Sequence, residues 1–156
     1  NTKNNYIKSI KNNKLLNRGD FCTYNNNTLW IGHFYLKPFY DAPEDTPLLY
    51  GYDIDNLDYN TPKYTIKLPK MVQGMSITNE NNFIFTRSYT NLINSELTIY
   101  NDMTKENFKK IKTIKLPPMA EGIFYKDNEL YILFENSSNK YFFAYPKIKK
   151  IIKISV

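Results

Sequence analysis

The sequence predicts an all-β fold made of about three four-stranded antiparallel units within 156 residues. Three observations carry that expectation. The segment Ile66 to Gly74, I-K-L-P-K-M-V-Q-G, returns 48 residues later as Ile114 to Gly122, I-K-L-P-P-M-A-E-G, with six of nine positions identical. A repeat of that period marks a recurring supersecondary unit. Each copy runs into an alternating segment, a polar turn and a second apolar segment, the pattern of a β-hairpin. Outside the first fifteen residues, no stretch spaces its apolar residues as a helix does.

The first hairpin runs from Asp20 to Ile31 and aligns without gaps with Glu121 to Ile132, so that Tyr24 meets Tyr125 and Trp30 meets Tyr131. The second places Gly74 to Thr78 against Phe83 to Thr86, and the third places Gly122 to Lys126 against Leu130 to Leu133. Each unit then supplies a third candidate strand: Leu48 to Asp53, Glu96 to Tyr100, or Lys140 to Tyr145. A fourth follows at Lys63 to Leu68, Phe108 to Leu116, or Lys149 to Ser155. The units span about 19–68, 69–116 and 117–156. Residues 1–18, Tyr6 to Leu16 above all, are expected to form the outer strand of a preceding unit or an adaptor to it.

Four antiparallel strands recurring every ~40 to 50 residues is the period of a β-propeller blade. A blade needs a neighbour on each face, and a ring closes with roughly four blades at least. The expected architecture is therefore a β-propeller fragment of about three blades. Its missing half is another chain, a second copy or further sequence. Lys63 and Lys67, then Lys109, Lys110, Lys112 and Lys115, then Lys147, Lys149, Lys150 and Lys153 fall in or beside the fourth strands. Lysine on an edge strand blocks edge-to-edge pairing, so most of the net charge of +6 is read as a solvated rim.

Composition removes several function classes. The single cysteine, Cys22, excludes an internal disulfide framework and is expected to be inert core. The single histidine, His33, excludes most zinc sites and a histidine relay. Arginine occurs only at Arg18 and Arg87, which argues against a nucleic-acid partner, because lysine is the poorer residue for bidentate contacts. No apolar run approaches the ~18 residues of a membrane span. The first residue is Asn1, with no secretion-signal core after it, as in a processed or partial chain.

In a propeller the first strand of each blade lines the channel, so the residues opening the three hairpins would converge. They are Asp20, Gln73 and Glu121, at matching positions. Two carboxylates and an amide oxygen are hard donors of the kind calcium accepts. The plainer reading of Glu121 is a residue pairing with backbone amides beside Gly122, where glycine admits a close approach. His33 and Arg87 align in successive units and, with Trp30, are candidates for holding a ligand; the plainer reading of His33 is a hydrogen-bonded strand residue. The run Asp53 to Asp58 lacks the central glycine of an EF-hand loop. Asn26-Asn27-Thr28 and Asn136-Ser137-Ser138 match the glycosylation acceptor pattern.

These motifs carry a resemblance. Glu121-Gly122-Ile123 followed by Leu130-Tyr131-Ile132 resembles the E-G-x motif that opens a blade in six-bladed propellers of the gluconolactonase, senescence-marker and phytase-like esterase type. Gln73-Gly74-Met75 with Phe83-Ile84-Phe85 is similar to the N-G-hydrophobic motif of that group, and Asp20 with Leu29-Trp30-Ile31 resembles its D-G…L-W-V blade. Gln73 stands where the group has asparagine, and Phe21 where it has glycine. The resemblance implies a divalent cation held by Asp20, Gln73 and Glu121 that polarises an ester or lactone carbonyl. The longer segments P-P-M-A-E-G-I and L-Y-I-L-F-E-N-S look like uncharacterised bacterial propeller proteins, often exported, which implies the C-terminal half of such a protein and an extracellular setting.

Three expectations follow. The first is a binding or scaffold module with a small-molecule or glycan ligand at the channel mouth. The second is a calcium-dependent lactonase or esterase-type hydrolase. The third is a lectin-like surface using Trp30, Tyr35 and Tyr89 as sugar platforms.

Overall fold

The structure, a computed structural model, describes residues 19–34, 46–58, 60–141, 143 and 146–155. The expected adaptor within residues 1–18 and the aromatic Tyr35 lie outside the described residues. Among the described residues every regular element is a strand except one 3-10 turn, Glu135–Ser137. The strands form three antiparallel sheets that do not close on themselves. The first contains β1 (Phe21–Asn25), β2 (Thr28–Gly32), β3 (Leu48–Asp53) and β4 (Tyr64–Lys67) in that order. The second contains β5 (Val72–Ile77), β6 (Phe83–Arg87), β7 (Ser95–Tyr100) and β8 (Lys110–Leu116). The third, among the described residues, contains β9 (Ala120–Lys126), β10 (Glu129–Phe134) and β11 (Ile152–Ser155).

The asparagine-rich turns have a backbone reason. Asn26 and Asn27 join β1 to β2 with φ of 46° and 58°, and Asp127 and Asn128 join β9 to β10 with φ of 52° and 62°. Two successive left-handed residues make the turn whose twist suits a two-residue hairpin, and Asn and Asp tolerate that region better than most side chains.

Among the described residues the third unit shows three strands where four were expected. Lys140, Tyr141 and Phe143 are not in a strand, the rest of the expected Lys140 to Tyr145 strand lies outside the described residues, and β11 pairs directly with β10, Leu130 opposite Ile154 and Ile132 opposite Ile152. Asn136, on the 3-10 turn that follows β10, is completely buried. Its amide donates to the carbonyls of Pro118 and Pro146, and its side-chain oxygen accepts from the Ile148 amide at 3.1 Å. Those bonds tie the chain after β10 to the segment preceding β9, and β11 takes the free edge of β10. Lys153 secures that edge through an ion pair of 2.7 Å with Glu129.

Alternation along the strands gives every sheet two faces, and the sheets stack in one sense. The first sheet turns Phe21 and Trp30 toward Met75, Ile77, Phe83 and Phe85 of the second. Trp30 stacks on Tyr64 at 5.3 Å and meets the edge of Phe83 at 5.1 Å. The second sheet turns its other face, with Ile84, Leu97 and Ile99, toward Ile123, Tyr125, Leu130 and Ile132 of the third. Each sheet thus has a forward face, turned to the next sheet in sequence, and a back face. First strands meet first strands, β1 lying against β5 and β5 against β9. Cys22 corrects the sequence expectation. It is exposed, because alternation puts it with Tyr24 on the back face of the first sheet, away from Trp30.

Candidate functional site

The opening residues of the first strands share a local distortion. In the second sheet Val72 pairs with Arg87 and Gly74 with Thr86, leaving Gln73 as an extra residue. In the third sheet the register of β9 against β10 shifts between Ala120 and Ile123, the stretch that holds Glu121 and Gly122. Each is a β-bulge, a device that bends a strand and re-aims a side chain. Before each bulge stands a left-handed methionine, Met71 or Met119, both with φ of 66°. The carbonyl of Met71 accepts from the Ser88 amide at 3.1 Å and that of Met119 from the Glu135 amide at 2.9 Å. The repeat therefore extends to the hydrogen bonds that close its loops.

Of the three predicted cation ligands, Gln73 and Glu121 come from strands in direct contact. A Cβ on Gly74 would collide with the backbone carbonyl oxygen of Glu121, and that oxygen accepts a 2.6 Å bond from the Thr86 hydroxyl. Asp20 precedes β1, and its carboxylate accepts from the Phe34 amide at 2.7 Å. That is the amide pairing expected of an acidic residue at a strand opening. Among the described residues no group of three or more His, Cys, Asp or Glu gathers as a metal cluster would.

Glu121 has partners that sequence reading missed. Its carboxyl group hydrogen-bonds to Glu135 on the 3-10 turn, and its pKa is pushed up to about 7, first by burial, then by the Glu135 charge and by that bond, against the opposing pull of Lys140. Glu135 also accepts from the Tyr141 hydroxyl at 3.0 Å and pairs with Lys140 at 3.7 Å. A carboxyl group with its pKa near neutrality gains or loses its proton with small changes in pH. The signal lay in the repeat. Glu135 occupies the position of Phe34 relative to the hairpin, so that Asp20 reaches Phe34 where Glu121 reaches Glu135.

The predicted ligand contacts have partners within the protein. The His33 Nε2 accepts from the Leu48 amide at 3.3 Å, and its ring lies 6.4 Å from Tyr50. Arg87 donates through Nε to the Lys70 carbonyl at 2.9 Å and through Nη1 to Glu96 at 2.7 Å, its cross-strand partner. Trp30 is 3% exposed. The polar cleft beside it, bounded by Asn25, Lys63, Asn81 and Asp102, has a volume of about 120 Å³, room for a few waters. In the acidic run, Asn27 donates to Asp53 and Asp55, and Asp58 caps its own turn by accepting from Asn60 and Thr61.

No helix among the described residues is long and apolar enough to cross a membrane. The sequence matches no protein-family model, and a search of curated proteins finds no match.

Proposed function

We propose that this chain is part of a β-propeller and works as a binding or scaffold module, holding a small molecule or glycan where the opening residues of its first strands approach one another. The observation that carries this reading is the packing of β1 on β5 and β5 on β9, with matching bulges at Gln73 and Glu121. Bulges placed alike in neighbouring sheets re-aim equivalent side chains toward a common region, and ligand sites gather where equivalent strand ends converge. Amide chemical shifts of the folded chain, followed while small carboxylic acids and neutral oligosaccharides are added, test it. Shifts concentrated at Asp20–Phe21, Gln73–Gly74 and Glu121–Gly122 are expected. Unmoved resonances at all three openings across both ligand sets would remove the reading.

The Glu121–Glu135 pair favours a second reading, a calcium-dependent hydrolase of lactones or esters. Calcium held by Asp20, Gln73 and Glu121 would polarise the substrate carbonyl. A divalent cation also relieves the repulsion between two adjacent carboxylates. The two readings separate in a melting experiment. Stabilisation by calcium that disappears in Glu121→Ala supports the hydrolase, whereas a melting temperature indifferent to calcium and chelator leaves the binding module.

A further inference from the structure

The second sheet packs on the third through four repeat positions of its forward face, and the third sheet presents the equivalent four positions to solvent. Gly74, Ser76, Ile84 and Thr86 lie on the forward face of the second sheet. Ser76 accepts from the Tyr125 amide at 3.0 Å, Thr86 donates to the Glu121 carbonyl, and Gly74 supplies the clearance that lets β9 approach. The repeat puts Gly122, Phe124, Tyr131 and Leu133 at those four positions in the third sheet. Glycine is retained, although the nearest atom to a Cβ on Gly122 is Leu133 Cβ of its own sheet at 3.6 Å. The two hydrogen-bonding residues become large and apolar, with Phe124 59% and Leu133 55% exposed. Together with Tyr131 and Ile151 they border a trough of about 600 Å³. A sheet face that stays in water is normally polar, whereas this one sets exposed phenylalanine and leucine side by side, which marks an interaction surface.

We propose that the forward face of the third sheet docks a second copy of this chain, head to tail, through the back face of that copy's first sheet. Continuity with the two existing interfaces selects this occupant. Each forward face inside the chain meets the back face of a following sheet, first strand on first strand, and the first sheet has the back face still open at its axial strand. Tyr24 there is 62% exposed and Cys22 is exposed, while Leu29 and Ile31 on β2 are half-buried. Farther out on the same face Tyr50 and Tyr52 are already covered. By the repeat, the Ser76–Tyr125 contact becomes Phe124 against Tyr24, and the Thr86–Glu121 contact becomes Leu133 against Asp20. Two copies joined in this way through two equivalent contacts make a closed six-sheet ring. The inference rests on the propeller reading given above.

Light scattering on the full chain over a range of concentrations, together with thiol cross-linking, tests it. The wild-type chain is expected as a dimer, and Leu133→Lys and Tyr24→Lys each as monomers with unchanged circular dichroism. An equimolar mixture of these two variants is expected to recover a dimer, because one forward face and one back face remain intact. A short bis-maleimide is expected to join Phe124→Cys to the native Cys22 of the other copy, each thiol adding across one maleimide double bond, and Cys22→Ser to abolish the product. A wild-type monomer at every concentration overturns the proposal, and so does a dimer untouched by Tyr24→Lys. A monomer that still shows ligand shifts at the three strand openings removes the second copy but not the binding module. A dimer in which Phe124→Cys cross-links to itself when Cys22 is absent shows forward face on forward face, which overturns the head-to-tail docking.

Discussion

Gly74 lies directly against the backbone carbonyl of Glu121, in a gap that no other residue type could share. The contact joins the second sheet to the third at the bulges of both. The two glycines of the repeat are consequently unequal. Gly74→Ala drives a methyl group into backbone and is expected to cost roughly 1–3 kcal/mol, the usual range for overpacking. Within one copy Gly122→Ala meets nothing closer than ordinary van der Waals contact, and in the monomeric Tyr24→Lys background its cost is expected to stay near that of a surface change, about 0.5 kcal/mol. Urea unfolding of both variants in that background checks this; equal midpoints would contradict the interface described.

The Glu121 carboxyl group predicts a pH dependence of definite sign. Its folded pKa, about 7, stands above the ordinary 4.5. The folded state therefore binds this proton more tightly than the unfolded state does. The associated stabilisation is complete below pH 4.5 and is lost as pH rises through 7. Allowing for solvent screening of a partly exposed group, the loss amounts to about 2 kcal/mol. Glu121→Gln removes the ionisation and should exceed the wild type in stability at pH 8 while matching it near pH 5. Denaturation curves at the two pH values decide the matter, and parallel behaviour of the two proteins would show that the site does not titrate.

Asn136 predicts the largest polar effect. Replacing it by alanine removes three bonds at once, a buried one to the Pro118 carbonyl and part-buried ones to the Pro146 carbonyl and the Ile148 amide. A loss of roughly 2–4 kcal/mol is expected, since each orphaned buried group costs about 1–3 kcal/mol. Amide exchange along β11 should accelerate in this variant more than exchange along β6. Uniform acceleration would mean that Asn136 does not serve the third sheet in particular.

Trp30 separates a packing role from a ligand role. Trp30→Ala is expected to destabilise by about 3–5 kcal/mol, as large buried aromatic truncations do. Trp30→Phe keeps a ring against Tyr64 and Phe83 and should cost much less. Native tryptophan fluorescence should also be blue-shifted and insensitive to added oligosaccharides. A red-shifted spectrum that sugars quench would place the ring in a binding surface.

The hairpins and the sheet count were legible because the repeat is written in residues with strong local preferences. Asn26-Asn27 and Asp127-Asn128 announce turns, and alternation from Phe83 or Leu130 announces strands. The third unit was read correctly at Ile152 to Ser155 but not at Lys140, Tyr141 and Phe143, because an aromatic run there has strand character and nothing local reveals that Asn136 ties the following chain across the sheet end. At the site, the openings Asp20, Gln73 and Glu121 were readable from alignment of the units. Glu135 was not, because its link to Glu121 spans a whole hairpin and depends on a bulge that only the register exposes. Cys22 failed as a core residue for a related reason. An apolar neighbourhood in sequence does not say which side of a strand is turned to water.

The second sheet differs from its companions in being enclosed on both sides, and every residue from Phe83 to Thr86 is buried. In the monomeric variants Leu133→Lys and Tyr24→Lys, protection against deuterium uptake should consequently be greatest along β6 and decline toward the two ends of the stack, so that a single copy opens first at its flanks and last at its centre. A protease would nick the flanks of such a molecule long before it reached Phe85.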